Sequence, residues 1–185
     1  MPDPDVGGRR TVERTIGIAV GIPQPWGAEL DAARASTGDP QAALIPAHVT
    51  LLGPTVLPAS AELDRKIDRL LRKVAAANEP FAVQLRGTGT FRPVNQVVFV
   101  ALAAGIAECE RLADSIRTGP LRRELAHPYH PHVTVGHDVP GAALDDVFER
   151  MADYSARFVV DHFTRYEHTG TGRWEPIRDY RLRTR

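Results

Sequence analysis

The sequence predicts an α+β fold laid out in two related halves, and three observations predict it. Helical and strand periodicities alternate along the whole chain instead of belonging to one class. The order helix, breaker, short strand, helix, hairpin occurs twice. The short strand carries nearly the same four residues each time, His48-Val49-Thr50-Leu51 and His132-Val133-Thr134-Val135.

Each element has a local reason. Residues 15–20 alternate apolar positions at Ile16, Ile18 and Val20, a strand stopped by Pro23 and Pro25. The spacing predicts a helix over 26–36, ended by Gly38-Asp39-Pro40. The first His-Val-Thr strand runs from Pro46 to Gly53-Pro54. Ser60 is a natural N-cap for a second helix with Leu63, Ile67, Leu70, Leu71 and Val74 on one face. Residues 81–85 and 97–102 read as a hairpin, with the glycine-threonine stretch 87–90 as an irregularity in its first strand. That stretch lacks the lysine of a phosphate loop. The second half repeats the plan: a helix over 106–116, a turn-rich segment through Pro120 and Pro128, the second motif closed by Gly136, and a helix over 144–151. A last strand pair, 158–166 and 174–182, flanks Gly170-Thr171-Gly172. Residues 1–12 read as a flexible tail, and 13–185 as a single domain whose halves are its two lobes.

Composition narrows the function classes. The 185 residues are 43% hydrophobic and 25% charged, the make-up of a globular chain. A net formal charge of zero gives no global attraction to nucleic acid, so an RNA contact would be local, at an end. No apolar run approaches the roughly 20 residues of a membrane span, and no membrane partner is expected. One cysteine, Cys109, has no internal partner to bond, which fits a reducing, cytoplasmic setting. A monomer is expected.

In a strand, successive side chains point to opposite faces. His48 and Thr50 therefore share one face with Val49 behind them, and His132 and Thr134 share one with Val133 behind. Bringing the two strands together would put two imidazoles and two hydroxyls around one site. That set suits in-line displacement at phosphorus, with one histidine as base and the other as acid. A third copy, His162-Phe163-Thr164, has Asp161 and Arg165 on the face of its central residue and no breaker after it. It is expected to lie outside the site, with no buried back face.

The paired motifs, the latter within Pro131-His132-Val133-Thr134-Val135, resemble the signature of the two-histidine (2H) phosphoesterase superfamily. The bacterial 2′-5′ RNA ligase/cyclic phosphodiesterase group is the most similar part of it. The resemblance extends to Phe81, Gly87, Phe91, Val98-Phe99-Val100 and the closing stretch from Phe158-Val159-Val160 to Gly172-Arg173-Trp174. It implies a bilobal, pseudo-two-fold fold in which two antiparallel sheets, helices outside, meet at a central cleft. It also implies a metal-independent phosphodiesterase acting on 2′,3′-cyclic phosphates of nucleotides or short RNA ends, its reverse reaction 2′-5′ ligation. His137 is a departure: many relatives carry arginine a few residues after the second motif, where a cation meets phosphate.

His48, Thr50, His132 and Thr134 are thus the expected catalytic set, the threonines donating to non-bridging oxygens. Tyr129, His137 and Phe91 are candidate substrate contacts, the two aromatics through stacking on a base. No cofactor and no metal is expected. The local cluster His127, His130, His132 is set in a rigid Pro128/Pro131 turn with no carboxylate beside it. Two other readings remain: a cyclic phosphate on an ADP-ribose derivative as substrate, and a non-catalytic module that binds RNA ends or nucleotides.

Overall fold

Eight strands and four helices follow one another in the computed structural model, which describes residues 12–184; most of the expected tail lies outside them. The order is β1 (Glu13–Gly21), α1 (Trp26–Ala35), β2 (His48–Pro58), α2 (Ala61–Ala76), β3 (Phe81–Thr90), β4 (Val97–Ala104), α3 (Ile106–Ile116), β5 (His132–His137), α4 (Gly141–Arg150), β6 (Ser155–Val160), β7 (His162–His168) and β8 (Trp174–Arg181). A single 3₁₀ turn, Gly119–Leu121, follows α3. Ser60 caps α2, its hydroxyl accepting from the Leu63 amide.

The strands form two antiparallel four-stranded sheets, ordered β2-β1-β7-β8 and β5-β4-β3-β6. The α+β class with two sheets and outer helices is therefore the observed one. One expectation needs correcting: the halves of the chain are not the lobes. The first sheet takes β1 and β2 from the first half and β7 and β8 from the second, and the other sheet is equally mixed. The helices are exchanged too. Helix α1 packs against β5 of the second sheet, whereas α3 packs against β2 of the first. Trp26 of α1 lies against Phe158, and the Tyr154 and Arg150 side chains bond Glu29 of α1 and Ser36, the residue that caps its C-terminus. Side-chain periodicity sets which face of an element is apolar, but not which distant strand it pairs with.

A second correction concerns residues 158–166, which are two strands in different sheets. β6 pairs with β3 and β7 with β1. Asp161 is the corner between them: its carboxylate is bonded by His162 and Arg181, and its carbonyl accepts from Leu182. The third correction follows. Behind His162 and Thr164 the sheet face is fully buried, with Phe163 at 0% exposure and Arg165 paired to Asp64 of α2. Within β3 the expected irregularity is present, as a register shift between Leu85 and Thr88 where Gly87 has φ +69°.

One continuous apolar cluster fills the space between sheets and helices, including Leu30, Ile67, Leu71, Leu112, Ile116, Leu144 and Val147. Val49 and Val133, the central residues of the motifs, belong to it. Each contributes about 1.5–3 kcal/mol by leaving water, so burying the valine holds the histidine and threonine outward. Among the described residues no helix is long and apolar enough to cross a membrane.

An ion cluster ties α2 to the first sheet. Asp64 accepts from Arg14 of β1 at 2.6 Å and from Arg165 of β7 at 2.8 Å. The Arg14 bond, with Arg165 adding to it, holds the Asp64 carboxyl below the ordinary carboxylate range. A depressed native value stabilises above the unfolded value near pH 4 and is lost as pH falls through the native one. Asp64 is about a third exposed, so screening trims the effect. Asp64→Asn is expected to cost about 1–2 kcal/mol in urea unfolding at pH 7. It should also flatten the loss of stability between pH 5 and 3.

Candidate functional site

β2 and β5 are edge strands, one from each sheet, and they pack against each other without a ladder between them. The repeated motifs therefore meet at the seam of the molecule. In the first sheet Gly21 stands opposite His48 and Ala19 opposite Thr50. In the second, Ala101 stands opposite His132 and Phe99 opposite Thr134. Three of these four neighbours are small and leave a cleft where larger ones would fill it; Phe99 is the exception.

The two histidines are fixed by the same local device. His48 Nδ1 is 2.7 Å from the carbonyl oxygen of Pro46, and His132 Nδ1 is 2.7 Å from that of His130. A carbonyl only accepts, so each Nδ1 carries the proton and each neutral ring presents an unprotonated Nε2. Both rings are half-buried. Burial pushes the His48 pKa down to about 4; the Pro46 bond opposes this, and the charges of Arg34 and His132 add to it. Burial also lowers the His132 pKa, against the bond to the His130 carbonyl and with help from the His130 imidazole.

Two cavities open on either side of the seam. The first, about 500 Å³, is bordered by His48, Thr50, Thr134 and His137. The second, about 580 Å³, is bordered by Thr50, Phe91, Tyr129, His130 and His132. Thr50 faces both, so the two histidines approach the seam from opposite sides.

His132 stands in an aromatic setting. Phe91 meets it edge-on at 5.0 Å between centroids, Phe99 at 5.1 Å, and His130 is stacked at 6.2 Å. Gly89 lies opposite Phe99, and a Cβ there would come within 2.5 Å of that ring. This glycine is a packing requirement for the His132 setting.

The other sequence candidates take distinct places. The Tyr129 hydroxyl donates to the Thr50 carbonyl at 2.8 Å, and Arg117 lies over its ring at 4.9 Å, so one of its faces is covered. Phe91 lines the second cavity while touching His132. His137 is half-exposed at the far end of β5, 3.3 Å from Asp138. His162 is in neither cavity; with Gly21, Thr164 and Tyr166 it borders a separate one of about 330 Å³, its Nδ1 against Asp161. His127, His130 and His132 do not converge. Among the described residues no group of three or more His, Cys, Asp and Glu is placed to hold a metal ion.

Two arginines also stand at the site, of which Arg34 escaped the sequence reading. Arg123 reaches across the seam, its Nη1 donating to the Pro54 carbonyl at 3.1 Å and to Thr55 Oγ1 at 3.2 Å. Arg34 of α1 borders the first cavity, paired with Asp39 at 2.7 Å. A basic residue in the last turn of a helix gives no sign of facing a cleft.

The chain and its fold are similar to known proteins. A family model described as the 2′-5′ RNA ligase superfamily matches residues 22–172. A Geobacillus kaustophilus protein named as a putative phosphoesterase is 28% identical over 138 residues, 74% of this chain and 78% of the relative. A Bacillus cereus protein of the same name is 29% identical over 146 residues, 78% of this chain and 83% of the relative. Among solved structures, Escherichia coli LigT complexed with 3′-AMP is similar in fold, with a TM-score of 0.62 and 19% identity over 94% of this chain and all of that one.

The histidine environment has a direct readout. In an NMR titration the His48 ring should remain neutral, with its proton on Nδ1, until the pH approaches about 4. His132 should titrate below the ordinary histidine value of about 6.5. A His48 midpoint near 6.5 would mean that the ring is not buried as described.

Proposed function

We propose, from the premise that the chain belongs to the 2′-5′ RNA ligase superfamily, that it hydrolyses 2′,3′-cyclic phosphates of nucleotides or short RNA ends by two-histidine acid–base catalysis. The observation that carries this reading is the symmetry at the seam. Two edge strands each present an imidazole with Nδ1 held by a carbonyl two residues back, and a threonine two residues on. Binding alone needs no such pair. The similarity in fold to a protein solved with 3′-AMP is consistent with a nucleotide in the cleft.

The reaction follows from where each group stands. The phosphate is placed at the seam, near Thr50, which borders both cavities. His48, with the strongly lowered pKa, is neutral and takes a proton from water through Nε2 as the water oxygen bonds to phosphorus. The bond from phosphorus to one ribose oxygen breaks on the opposite side, and that oxygen takes a proton from His132. The product is a ribose phosphomonoester. Thr50 and Thr134 donate to the non-bridging oxygens, each worth about 2–4 kcal/mol of barrier by the standard of oxyanion donors. The ribose and base then occupy the His132 cavity, where Phe91 and the free face of Tyr129 offer aromatic surface. Run backwards with a ribose hydroxyl in place of water, the same groups join RNA ends.

The test is turnover of 2′,3′-cyclic AMP and cyclic-phosphate-ended oligonucleotides. His48→Ala and His132→Ala should each lower kcat by about 10²–10⁴-fold, and together by less than the product of the two losses. The pH dependence of kcat/KM should be bell-shaped with an acidic maximum. His48 must be neutral, which sets the rising limb near pH 4, and His132 must be protonated, which sets the falling limb below about 6.5. Near-native turnover in either alanine variant would reject the two-histidine mechanism, whereas nucleotide binding with no turnover by the wild type would favour a binding module.

His162→Ala is the matching control. Because His162 borders the separate cavity behind Gly21, its loss should change kcat by less than about tenfold, or about 1.4 kcal/mol in barrier. A collapse of turnover with the fold intact would mean that the third motif copy is the working one.

A further inference from the structure

The His48 cavity contains a charged side chain that the reaction above does not use. Arg34, in the last turn of α1, is 8% exposed and borders that cavity along with His48, Thr50 and Thr134. It is the sole lysine or arginine among the described lining residues. Its Nε donates to Asp39 Oδ2 at 2.7 Å, and the Asp39 side chain is itself completely buried. The other Asp39 oxygen accepts from the Gln41 amide at 2.8 Å, so the carboxylate that holds Arg34 is held in turn. Asp31, one turn earlier on α1, accepts from the Ala47 amide at 2.7 Å and fixes the entry to the first motif against the same helix.

Among the described residues the hydrogen bond of the Arg34 guanidinium is made through Nε, and the charge of Arg34 is also felt by Asp31. Neither terminal nitrogen is a sealed, unsatisfied atom of the interior, so both keep their contact with solvent through the cavity. A guanidinium nine-tenths removed from water, with its terminal donors left open in a cleft, is costly to keep and well suited to an anion. The arginines of the other cavity are engaged elsewhere: Arg117 with Asp114 and the Tyr129 ring, Arg123 with Pro54 and Thr55. His137 at the cavity rim faces Asp138.

We infer that Arg34 is the phosphate-gripping cation of this cleft, its terminal N–H groups donating to a non-bridging oxygen of the reacting phosphoryl group while Asp39 positions the guanidinium. Two N–H donors in a fixed fork match a phosphate edge better than a point charge does. The position also suits the base assigned to His48, because the charge of Arg34 opposes protonation of that ring. The inference rests on the cyclic phosphodiesterase reading for its substrate, but anion binding tests it separately.

The experiment measures inorganic phosphate and 3′-AMP binding by calorimetry, and 2′,3′-cyclic AMP turnover, for the wild type and Arg34→Gln. The variant is expected to lose about 10- to 100-fold in affinity for both anions and at least as much in kcat/KM, while adenosine binding is unchanged. The His48 midpoint should rise from about 4 once the guanidinium charge is gone, and the selective loss of anion affinity with adenosine binding unchanged is what a merely structural arginine would not produce. Undiminished phosphate affinity in a folded Arg34→Gln variant overturns the inference. Should that variant fail to fold, ¹⁵N spectra of the wild-type Arg34 guanidinium decide: resonances that shift and saturate with phosphate support the role, and resonances that stay fixed overturn it. Arg34-dependent phosphate binding without turnover of any cyclic phosphate would remove the proposed reaction and leave this site standing.

Discussion

Two unpaired strand edges lie against one another at the centre of this protein, and a hydroxyl joins them. Tyr129, just before the second motif, donates to the carbonyl of Thr50 inside the first. Arg123, from the same connecting segment, holds the end of β2 through Pro54 and Thr55. An exposed strand edge is normally a template for pairing with another chain. Here each edge is covered by the other, and the free backbone group at Thr50 is satisfied across the seam. Everything proposed about the chemistry depends on this contact, because it sets the distance and orientation between imidazoles that belong to different sheets.

Electrostatics at the seam pull in opposing directions. Burial disfavours the charged form of both histidines, while a backbone carbonyl at each Nδ1 favours it. The carbonyl bonds do not restore ordinary values, but they select the tautomer and stop the ring from turning. What separates the two sites is their neighbours. His48 feels Arg34, a fixed cation, whereas His132 feels mainly another imidazole and two phenyl rings. The base and the acid proposed above thus differ through their surroundings, not through their nearly identical tetrapeptides.

Much of the fold was legible in the chain, and the reason is local. The alternation of histidine, valine and threonine fixes which side chains face out, and the Ser60 cap and the Leu63-to-Val74 spacing mark α2; the expected stop at Gly53-Pro54 fails, because β2 runs on to Pro58 paired along β1. Pairing between distant strands was not legible. Nothing in the spacing of β7 says that it joins β1, and the turn at Asp161 depends on bonds from Arg181 and Leu182 that only the folded chain supplies. The site divides in the same way. His48, Thr50, His132 and Thr134 were visible through repetition. Arg34 was not, because α1 lies over the second sheet, and only that exchange brings its last turn to the first motif. Tyr129 was visible as an aromatic near the motif, but its hydroxyl bond to Thr50 was not.

The interleaving of the halves also governs how the chain reaches this state. The first sheet is completed only when β7 and β8, near the end of the chain, pair with strands made at its beginning. Such contacts span most of the sequence, so loop-closure entropy must be met before they form, and high contact order makes folding slow. On a ribosome, β1 and β2 emerge long before β7 exists to pair with β1. Until then the β1 edge stands open, and a chain halted in its second half holds a first motif with no partner motif to face. Assembly of the site and completion of the fold are thereby the same late event.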